Sequence, residues 1–248
     1  MIMEKRPILV QVAMEVECRK LLDKVVHVKE VMDSGYLFYE FEIDGYPVVL
    51  SLSKVGLIEA ASSLSIAIRK YRPKVIINYG IAGATTNKLH VSDMVIGTSC
   101  MNINSYRTSF LEKGMGSCPE KWEFLTFLSG EEDRFVSYSS SLELVDLAID
   151  NPPLTKYLCG RIGSGDVWNR EIDRILFLNR EYGVLCEDME CVSTYQIAED
   201  RNIPVISFKM ISDNILLGEE YNREVGIYLQ EYIYLYVSKL IEKMCEDN

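Results

Sequence analysis

The hydrophobic and polar positions of this chain follow two different periods, and these periods predict its secondary structure. Short apolar runs bounded by polar or turn residues predict buried strands at 8–12, 75–78, 94–98, 157–162 and 205–211. Segments with apolar residues at helical spacing predict the connecting helices at 56–71, 141–149, 171–180, 189–198 and from about residue 220. Strands that alternate with helices in this way indicate a largely parallel sheet with helices on both faces.

One pair of strands departs from that alternation. The segments 36–43 and 46–52 are joined by Asp44-Gly45, a dipeptide that favours a tight hairpin turn. The predicted fold class is therefore α/β: a three-layer α/β/α sandwich with a mixed, largely parallel, twisted central sheet. With 248 residues the chain is long enough for one sizeable core, and residues 1–248 are predicted to form a single domain.

Composition and charge exclude several classes of partner. The formal net charge is −11, which opposes binding to a phosphate backbone, so no nucleic-acid partner is expected. No apolar run is long enough to span a membrane, and the N-terminal residues lack the apolar core of a signal peptide. The seven cysteines form no C-x-x-C pair, as is typical of buried thiols in a reducing compartment. A cytoplasmic protein is expected.

The scarcity of histidine narrows the chemistry that the chain can perform. His27 and His90 are its only histidines, and neither has metal-ligand spacing around it. This argues against a zinc site and against a Ser-His-Asp triad. We therefore expect no metal and no cofactor, with carboxylates performing any proton transfer.

Distinctive residues follow four of the predicted strands. Glu17 follows the first strand, 80–84 and 163–168 follow two others, and Asp213 follows the last. The carboxyl ends of parallel strands share one edge of a sheet, so these segments can meet in a single crevice. Glu190 begins a predicted helix, where unpaired N–H groups favour an ionised carboxylate.

Simpler interpretations exist for each of these segments. Asp188 and Glu190 are also what a helix start requires, and Ser212-Asp213-Asn214 is also a turn sequence. The segment Gly163-Ser-Gly165 lacks the third glycine of a dinucleotide fingerprint, and 80–84 is too short for a phosphate-binding loop. Taken together, however, the glycines indicate a small-molecule site that backbone approaches closely.

Six short motifs occur one after another along the chain. They are A-M-E-x-E at 13–17, the segment from Ser53 to Gly56, G-x-A-G at 80–83, S-G-D at 164–166, M-E at 189–190 and I-S-D at 211–213. In this order and spacing the chain resembles, over nearly its full length, the 5′-methylthioadenosine/S-adenosylhomocysteine nucleosidases. These enzymes belong to the nucleoside phosphorylase superfamily, so the resemblance implies a nucleoside phosphorylase-like fold.

The resemblance implies that the chain hydrolyses the N-glycosidic bond of such nucleosides and releases adenine. Asp213 would be the general acid that protonates purine N7, and Glu17 would orient or deprotonate the attacking water. Met189 and Glu190 would hold the ribose. Trp168 would stack on the base, and the backbone from Val167 to Asn169 would read the base edge.

The resemblance also implies an assembly and further contacts. Phe110 and Pro119 match a loop that reaches into the neighbouring subunit's pocket, so a homodimer is expected. They lie in the irregular stretch 102–132, whose length is typical of a functional loop or an interface arm. The remaining implied substrate-binding positions are Met14, Ala82, Gly83, Ser212 and Lys209.

The choice between hydrolysis and phosphorolysis depends on local charge. A phosphorylase must neutralise phosphate, but here Glu15 and Glu17 occupy the first loop, and Ile81 stands where a serine would be expected. Such an acidic and apolar site favours water. Two alternatives stay open: a phosphorylase or a nucleosidase of another nucleoside, with Arg107 and Arg161 as possible phosphate ligands, and a non-catalytic nucleoside-binding protein on the same fold.

Several positions depart from the pattern of the family. Ile81 replaces a small polar residue, Lys209 replaces an arginine, and Trp168 is bulkier than the usual phenylalanine. Arg107 has no obvious counterpart. These differences leave the reaction type in place but leave the exact base and the 5′-substituent open.

Overall fold

The structure is a computed structural model that describes residues 5–116, 118–124 and 137–246. Its first half contains, in chain order, β1 (Ile8–Val12), α1 (Arg19–Leu22), β2 (Lys29–Asp33), β3 (Tyr36–Ile43), β4 (Tyr46–Leu52), α2 (Leu57–Tyr71), β5 (Val75–Ala84), β6 (Met94–Asn102), β7 (Tyr106–Arg107) and β8 (Glu123–Phe124). Its second half contains β9 (Ser137–Ser139), α3 (Leu142–Asp150), β10 (Tyr157–Ser164), α4 (Ile172–Tyr182), β11 (Val184–Asp188), α5 (Cys191–Asp200), β12 (Val205–Asp213) and α6 (Gly226–Glu246).

Over the described ranges the central sheet has ten strands, in the order β11-β10-β6-β12-β5-β1-β4-β3-β2, with β9 paired to β6. β11 also pairs with β5, so five of the strands close into a ring. The predicted α/β sandwich with a mixed sheet is confirmed. Its antiparallel share extends beyond the predicted hairpin, because β6 runs antiparallel to β12 and β11 runs antiparallel to β5.

Helices cover both faces of this sheet. The strand β1 is buried along its whole length, as expected of a strand covered on both sides. Its residues Ile8 and Val10 pack with α6 and α3, whereas Leu9 packs in a second cluster with α2 and α5. This division follows from the two-residue period of a strand, which sends successive side chains to opposite faces.

The strand β5 is longer than its apolar pattern predicts. Residues 75–78 were predicted as the strand and 80–84 as a loop after it, and the second part of this prediction is wrong: the strand continues to Ala84. The glycines remain in extended backbone because neighbouring strands pair with them, Gly80 on one side and Gly83 on both. β12 pairs with it as far as Gly83, and β11 pairs with Gly83 and Ala84.

The C-terminal helix α6 buries an apolar stripe against the sheet, as its spacing predicts. Leu229, Tyr236 and Leu240 are almost completely buried. Tyr228 is an exception, because 65 % of its surface is exposed.

No helix within the described ranges combines the length and the apolar character that a membrane span requires.

The first part of the irregular stretch 102–132 packs on the body of the same chain. The short strands β7 and β8 pair, and Tyr106 stacks on Trp122 with ring centroids 4.3 Å apart. The buried guanidinium of Arg174 lies over both rings, at 5.7 Å and 5.2 Å. Residue 117 and residues 125–136 lie outside the described ranges, so the remainder of the predicted arm is not described.

Candidate active site

A cavity of about 270 Å³ opens at the carboxyl ends of the central strands. Most of the predicted site residues line it: Met14, Glu17, Ala82, Gly83, Val167, Trp168, Asn169, Met189, Glu190, Ser212 and Asp213. Its wall therefore combines residues from both halves of the chain. The three acids that the sequence singled out, Glu17, Glu190 and Asp213, share this one cavity.

Glu17 is held in a tight turn directly after β1. Its Oε2 accepts hydrogen bonds from the backbone N–H groups of Ala13 and Met14, at 3.1 Å and 2.9 Å. Its Oε1 accepts one from Ile81 N–H at 3.0 Å. A Cβ at Gly80 would lie only 2.7 Å from Oε1, so any side chain at this position would displace the Glu17 carboxylate. The turn and β5 together fix the carboxylate.

The electrostatic environment of Glu17 makes it a better base than an exposed glutamate. Burial raises the pKa of Glu17, and the charge of Lys209 and three backbone hydrogen bonds reduce that rise. A general base works best with a pKa closer to the operating pH. The direction of this shift is therefore the one that proton abstraction requires.

A buried ion pair lies beside the carboxylates of the cavity. Lys209 Nζ is 2.7 Å from Asp188 Oδ2, and it donates a hydrogen bond to Asn78 Oδ1 at 2.8 Å. Burial lowers the pKa of Lys209, but Asp188, Cys191 and Glu190 together outweigh this effect, and the pKa is raised. Lys209 therefore stays charged and partly balances the acids around it.

Glu190 holds the start of another helix. Its Oε1 accepts a hydrogen bond from Gly56 N–H at 3.0 Å, at the N-terminus of α2. Asp188, instead of Glu190, caps α5, since it accepts a hydrogen bond from Cys191 N–H at 3.0 Å. The capping interpretation thus applies to Asp188, and the Glu190 carboxyl is left facing the cavity.

Burial opposes the expectation that Glu190 stays ionised. Burial, reinforced by the nearby charge of Asp188, raises the pKa of Glu190 to about 8, despite the opposing effects of Lys209 and Gly56 N–H. The helix-terminus argument considered only the favourable N–H groups. Loss of hydration in a buried site is the larger effect.

Asp213 ends β12 and is half-buried at the cavity wall. Its Oδ1 accepts a hydrogen bond from Ser212 Oγ at 2.7 Å. A Cβ at Gly83 would lie 3.4 Å from its Oδ2, so the glycine leaves the space beside this carboxylate open. A ligand atom can therefore approach Asp213 from the side of β5.

Two aromatic side chains flank the cavity. The rings of Trp168 and Tyr221 lie 5.1 Å apart and are tilted by 59°. Trp168 is 61 % exposed, so its ring is accessible to a planar base. Tyr221 lies in none of the sequence motifs and was not predicted as a site residue.

Glu187 is a further carboxylate on the wall that the site prediction did not include. Its Oε1 accepts a hydrogen bond from Asn169 Nδ2 at 3.1 Å. Burial raises the pKa of Glu187 to about 7. Its position next to Asp188 and close to Glu190 was the available signal, but the sequence does not show which of these three carboxylates reach the cavity.

Three predicted substrate-binding residues do not belong to the described lining of the cavity. Lys209 is buried in its ion pair with Asp188. Phe110 is 92 % exposed, and Pro119 is buried in a single 3-10 turn. No group of three or more His, Cys, Asp or Glu side chains suited to a metal ion occurs in the described part of the chain.

Comparison with known proteins places the chain in one class. A family model described as "Phosphorylase superfamily" matches residues 7–231, so the chain belongs to the phosphorylase superfamily. The chain is 30 % identical to a 5′-methylthioadenosine/S-adenosylhomocysteine nucleosidase of Staphylococcus haemolyticus, over 81 % of this chain and 83 % of that protein. A nucleosidase of the same name from Anoxybacillus flavithermus is 26 % identical over 95 % of this chain and 96 % of its own length. Within the superfamily the protein is therefore a member of this nucleosidase family, an N-glycosyl hydrolase.

Solved structures of similar proteins share the fold. The nucleosidase of the same name from Campylobacter jejuni superposes with a TM-score of 0.79 at 20 % identity and covers 96 % of this chain and 99 % of its own. Futalosine hydrolase of Helicobacter pylori has a TM-score of 0.75 at 18 % identity and covers 96 % of this chain and 98 % of its own. At these identities the likeness is one of fold.

Proposed function

We propose that this nucleosidase hydrolyses 5′-methylthioadenosine and S-adenosylhomocysteine and releases adenine. The names of its relatives support these substrates. The observation that carries the proposal is the convergence of Glu17, Glu190 and Asp213 on one cavity. Hydrolysis of an N-glycosidic bond needs one group that protonates the leaving base, one that activates the water and one that binds the sugar. These three acids can fill those roles.

Asp213 would act on the leaving base. As the bond between ribose C1′ and purine N9 breaks, the bonding electrons pass to the base, and Asp213 gives its proton to N7, so adenine leaves neutral. Ser212 Oγ donates a hydrogen bond to Asp213 Oδ1 and so holds the carboxyl in place. General acid assistance of this kind is typically worth on the order of 10²–10⁴ in rate.

Glu17 would act on the water. The water oxygen forms the new bond to C1′, and Glu17 accepts the proton that the water loses. Three backbone N–H groups hold this carboxylate, so it requires little reorganisation during the reaction. After the proton transfers, one proton has moved from Asp213 to the base and one from water to Glu17, which conserves charge.

Glu190 and Met189 would hold the ribose. A Glu190 carboxyl with a pKa of about 8 can both donate and accept hydrogen bonds with sugar hydroxyls. When positive charge develops on the ribose in the transition state, it favours the ionised form of Glu190. The carboxyl then stabilises the transition state more than it stabilises the ground state.

The charge of the cavity favours hydrolysis over phosphorolysis. The described lining contains Glu17, Glu187, Asp188, Glu190 and Asp213 but no arginine or lysine. The two arginines that could have bound phosphate are engaged elsewhere. Arg107 pairs with Glu123, and Arg161 donates hydrogen bonds to Ser99 Oγ and to the Tyr182 carbonyl. Phosphate would meet several carboxylates in this cavity, whose charge the buried Lys209 balances only in part.

A single assay tests the proposed function. The protein is incubated with methylthioadenosine, adenosylhomocysteine, adenosine and inosine, each with and without phosphate, and free base is quantified by chromatography. We expect adenine from the two 5′-thio substrates at rates that phosphate leaves unchanged. Base release that requires phosphate, or release confined to inosine, would contradict the proposal.

We further propose a cytoplasmic homodimer that acts in methionine salvage, with the whole site in one domain. The 92 % exposure of Phe110 supports an interface on the arm that begins near residue 102, since its ring is available to pack against a second subunit and aromatic residues are enriched in interfaces. Sedimentation equilibrium of the wild type and of Phe110→Ser tests the assembly. A monomeric wild type with full activity would contradict it.

A further inference from the structure

Glu187 lies on the cavity wall directly across from Asp213. Both residues are paired in register with Gly83 of β5, Glu187 from β11 and Asp213 from β12. Adjacent strands are about 4.8 Å apart, so the two Cα atoms are separated by roughly 10 Å. Residues paired directly across strands share one face of the sheet. Because Gly83 has no side chain, nothing from β5 fills the space between the two carboxyls.

Asn169 fixes the orientation of the Glu187 carboxyl. The Oδ1 atom of Asn169 accepts a hydrogen bond from Glu171 N–H at 3.0 Å, so its Nδ2 is the atom left to face Glu187. Nδ2 donates to Glu187 Oε1 at 3.1 Å. Glu187 Oε2 has no hydrogen-bond partner among the residues that the structure describes. One oxygen is therefore anchored, and the other is available to a ligand.

The charges around Glu187 leave both of its protonation forms accessible. Burial and the nearby Asp213 raise its pKa, whereas the hydrogen bond from Asn169 and the charge of Arg174 lower it. Each of the other proposed steps already has its own group, Asp213 for the leaving base, Glu17 for the water and Glu190 for the sugar, which leaves Glu187 without a part in them. Its remaining role is toward the six-membered ring of a base whose five-membered ring lies at Asp213.

We propose that Glu187, oriented by Asn169, selects a 6-amino purine over a 6-oxo purine through its Oε2 atom. This inference rests on the proposed function, which places purine N7 at Asp213. An exocyclic amino group donates a hydrogen bond to either form of a carboxyl group. An exocyclic oxygen only accepts, so it is satisfied only when Glu187 carries a proton, and it is opposed by the ionised form. Glu187 thus discriminates between adenine and hypoxanthine.

The variant Glu187→Gln tests this role with little change in shape. Asn169 Nδ2 should hold the glutamine oxygen as it holds Glu187 Oε1, so the amide NH2 faces the ligand, where it can donate to an exocyclic oxygen but cannot accept from an amino group. We expect the ratio of kcat/KM for methylthioadenosine to that for 5′-methylthioinosine to fall by about tenfold or more, as the loss of one repulsive polar contact predicts. The ratio for methylthioadenosine to adenosylhomocysteine should not change, because these two substrates share the same base.

Two further variants separate specificity from folding. Asn169→Ala removes the anchor, and we expect it to lower the adenine-to-hypoxanthine ratio in the same direction but by less. Glu143→Gln, on the exposed side of α3, removes a carboxylate at the surface and should leave both ratios unchanged. Thermal unfolding of each variant shows whether it is folded. If Glu187→Gln does not fold, the Asn169→Ala ratio decides the question.

The outcomes distinguish this inference from the proposed function. An unchanged base ratio in an active, folded Glu187→Gln protein overturns the role of Glu187 alone. An equal loss for both bases also overturns it, since that result indicates a structural role. If the wild type released no base from any of the nucleosides, both the proposed function and this inference would fail.

Discussion

Lys209 and Asp188 form an almost completely buried ion pair, with Nζ and Oδ2 2.7 Å apart. Lys209 Nζ also bonds to Asn78 Oδ1, which accepts a further hydrogen bond from Ser207 Oγ at 2.9 Å. The pair thus belongs to a polar network that packs against the acids of the cavity. The positive charge of Lys209 partly offsets the cost of burying the Glu17 and Glu190 carboxylates.

Lys209→Met should destabilise the protein strongly. The change leaves the Asp188 carboxylate buried without its partner, and breaking a buried pair in this way typically costs about 3–5 kcal/mol. Urea denaturation followed by circular dichroism gives the free energy of unfolding. Lys239→Met is the matched control, because its pair with Glu242 is exposed and should contribute about 0.5 kcal/mol or less. Equal losses in the two variants would contradict this account.

Gly80→Ala should reduce activity by more than its effect on the stability of the fold can account for. The added Cβ would lie 2.7 Å from Glu17 Oε1 and must displace that carboxylate. Misplacement of a reacting group by about 1 Å can cost on the order of 10² in rate, so we expect kcat to fall by roughly that factor. Gly45→Ala is the control: its φ of +70° makes alanine strained, but a Cβ there meets open space. It should lower the melting temperature and leave kcat unaltered.

Asp213→Asn should keep substrate affinity and lose most base release. Asparagine has nearly the same shape but cannot supply an acidic proton to N7. We expect kcat to fall by about 10²–10⁴ and the dissociation constant to change by far less. Single-turnover kinetics and isothermal calorimetry measure the two quantities separately. Normal turnover by this variant would show that another group protonates the base.

Glu190→Gln should change how stability depends on pH. In the unfolded chain the carboxyl ionises near its ordinary pKa of 4.5, whereas in the folded protein its pKa is raised to about 8. Between these values the unfolded state has released a proton that the folded state retains. The contribution of Glu190 to stability is therefore complete below about pH 4.5 and is lost as the pH rises toward 8.

Glutamine at position 190 cannot ionise, so the variant lacks this loss. We expect the free energy of unfolding of Glu190→Gln, relative to wild type, to rise from pH 5 to pH 8, by up to about 1.4 kcal/mol per pH unit. Urea titrations at intervals of one pH unit provide the curve. A difference that stayed constant with pH would mean that the folded-state pKa of Glu190 is not raised.

Much of this protein is determined by its sequence alone. Each of the main strands and helices has a strong local period, and Asp44-Gly45 sets a turn with no help from distant residues. The order of short motifs is equally local, and it led to the family that the comparisons support. Because the carboxyl ends of parallel strands lie at one edge of an α/β sheet, the sequence alone could place Glu17 and Asp213 in one crevice.

Only the tertiary structure decided the chemistry of that crevice. The strand β5 continues through its glycines because β12 pairs with Gly80 and Gly83 and β11 pairs with Gly83, and pairing between distant segments leaves no local pattern. The pKa of Glu190 follows from burial, which depends on how many groups surround it. The contact between Asn169 and Glu187 depends on where a loop meets a strand. Local periods predict which elements form, whereas hydration and register depend on contacts that exist only after the elements have packed.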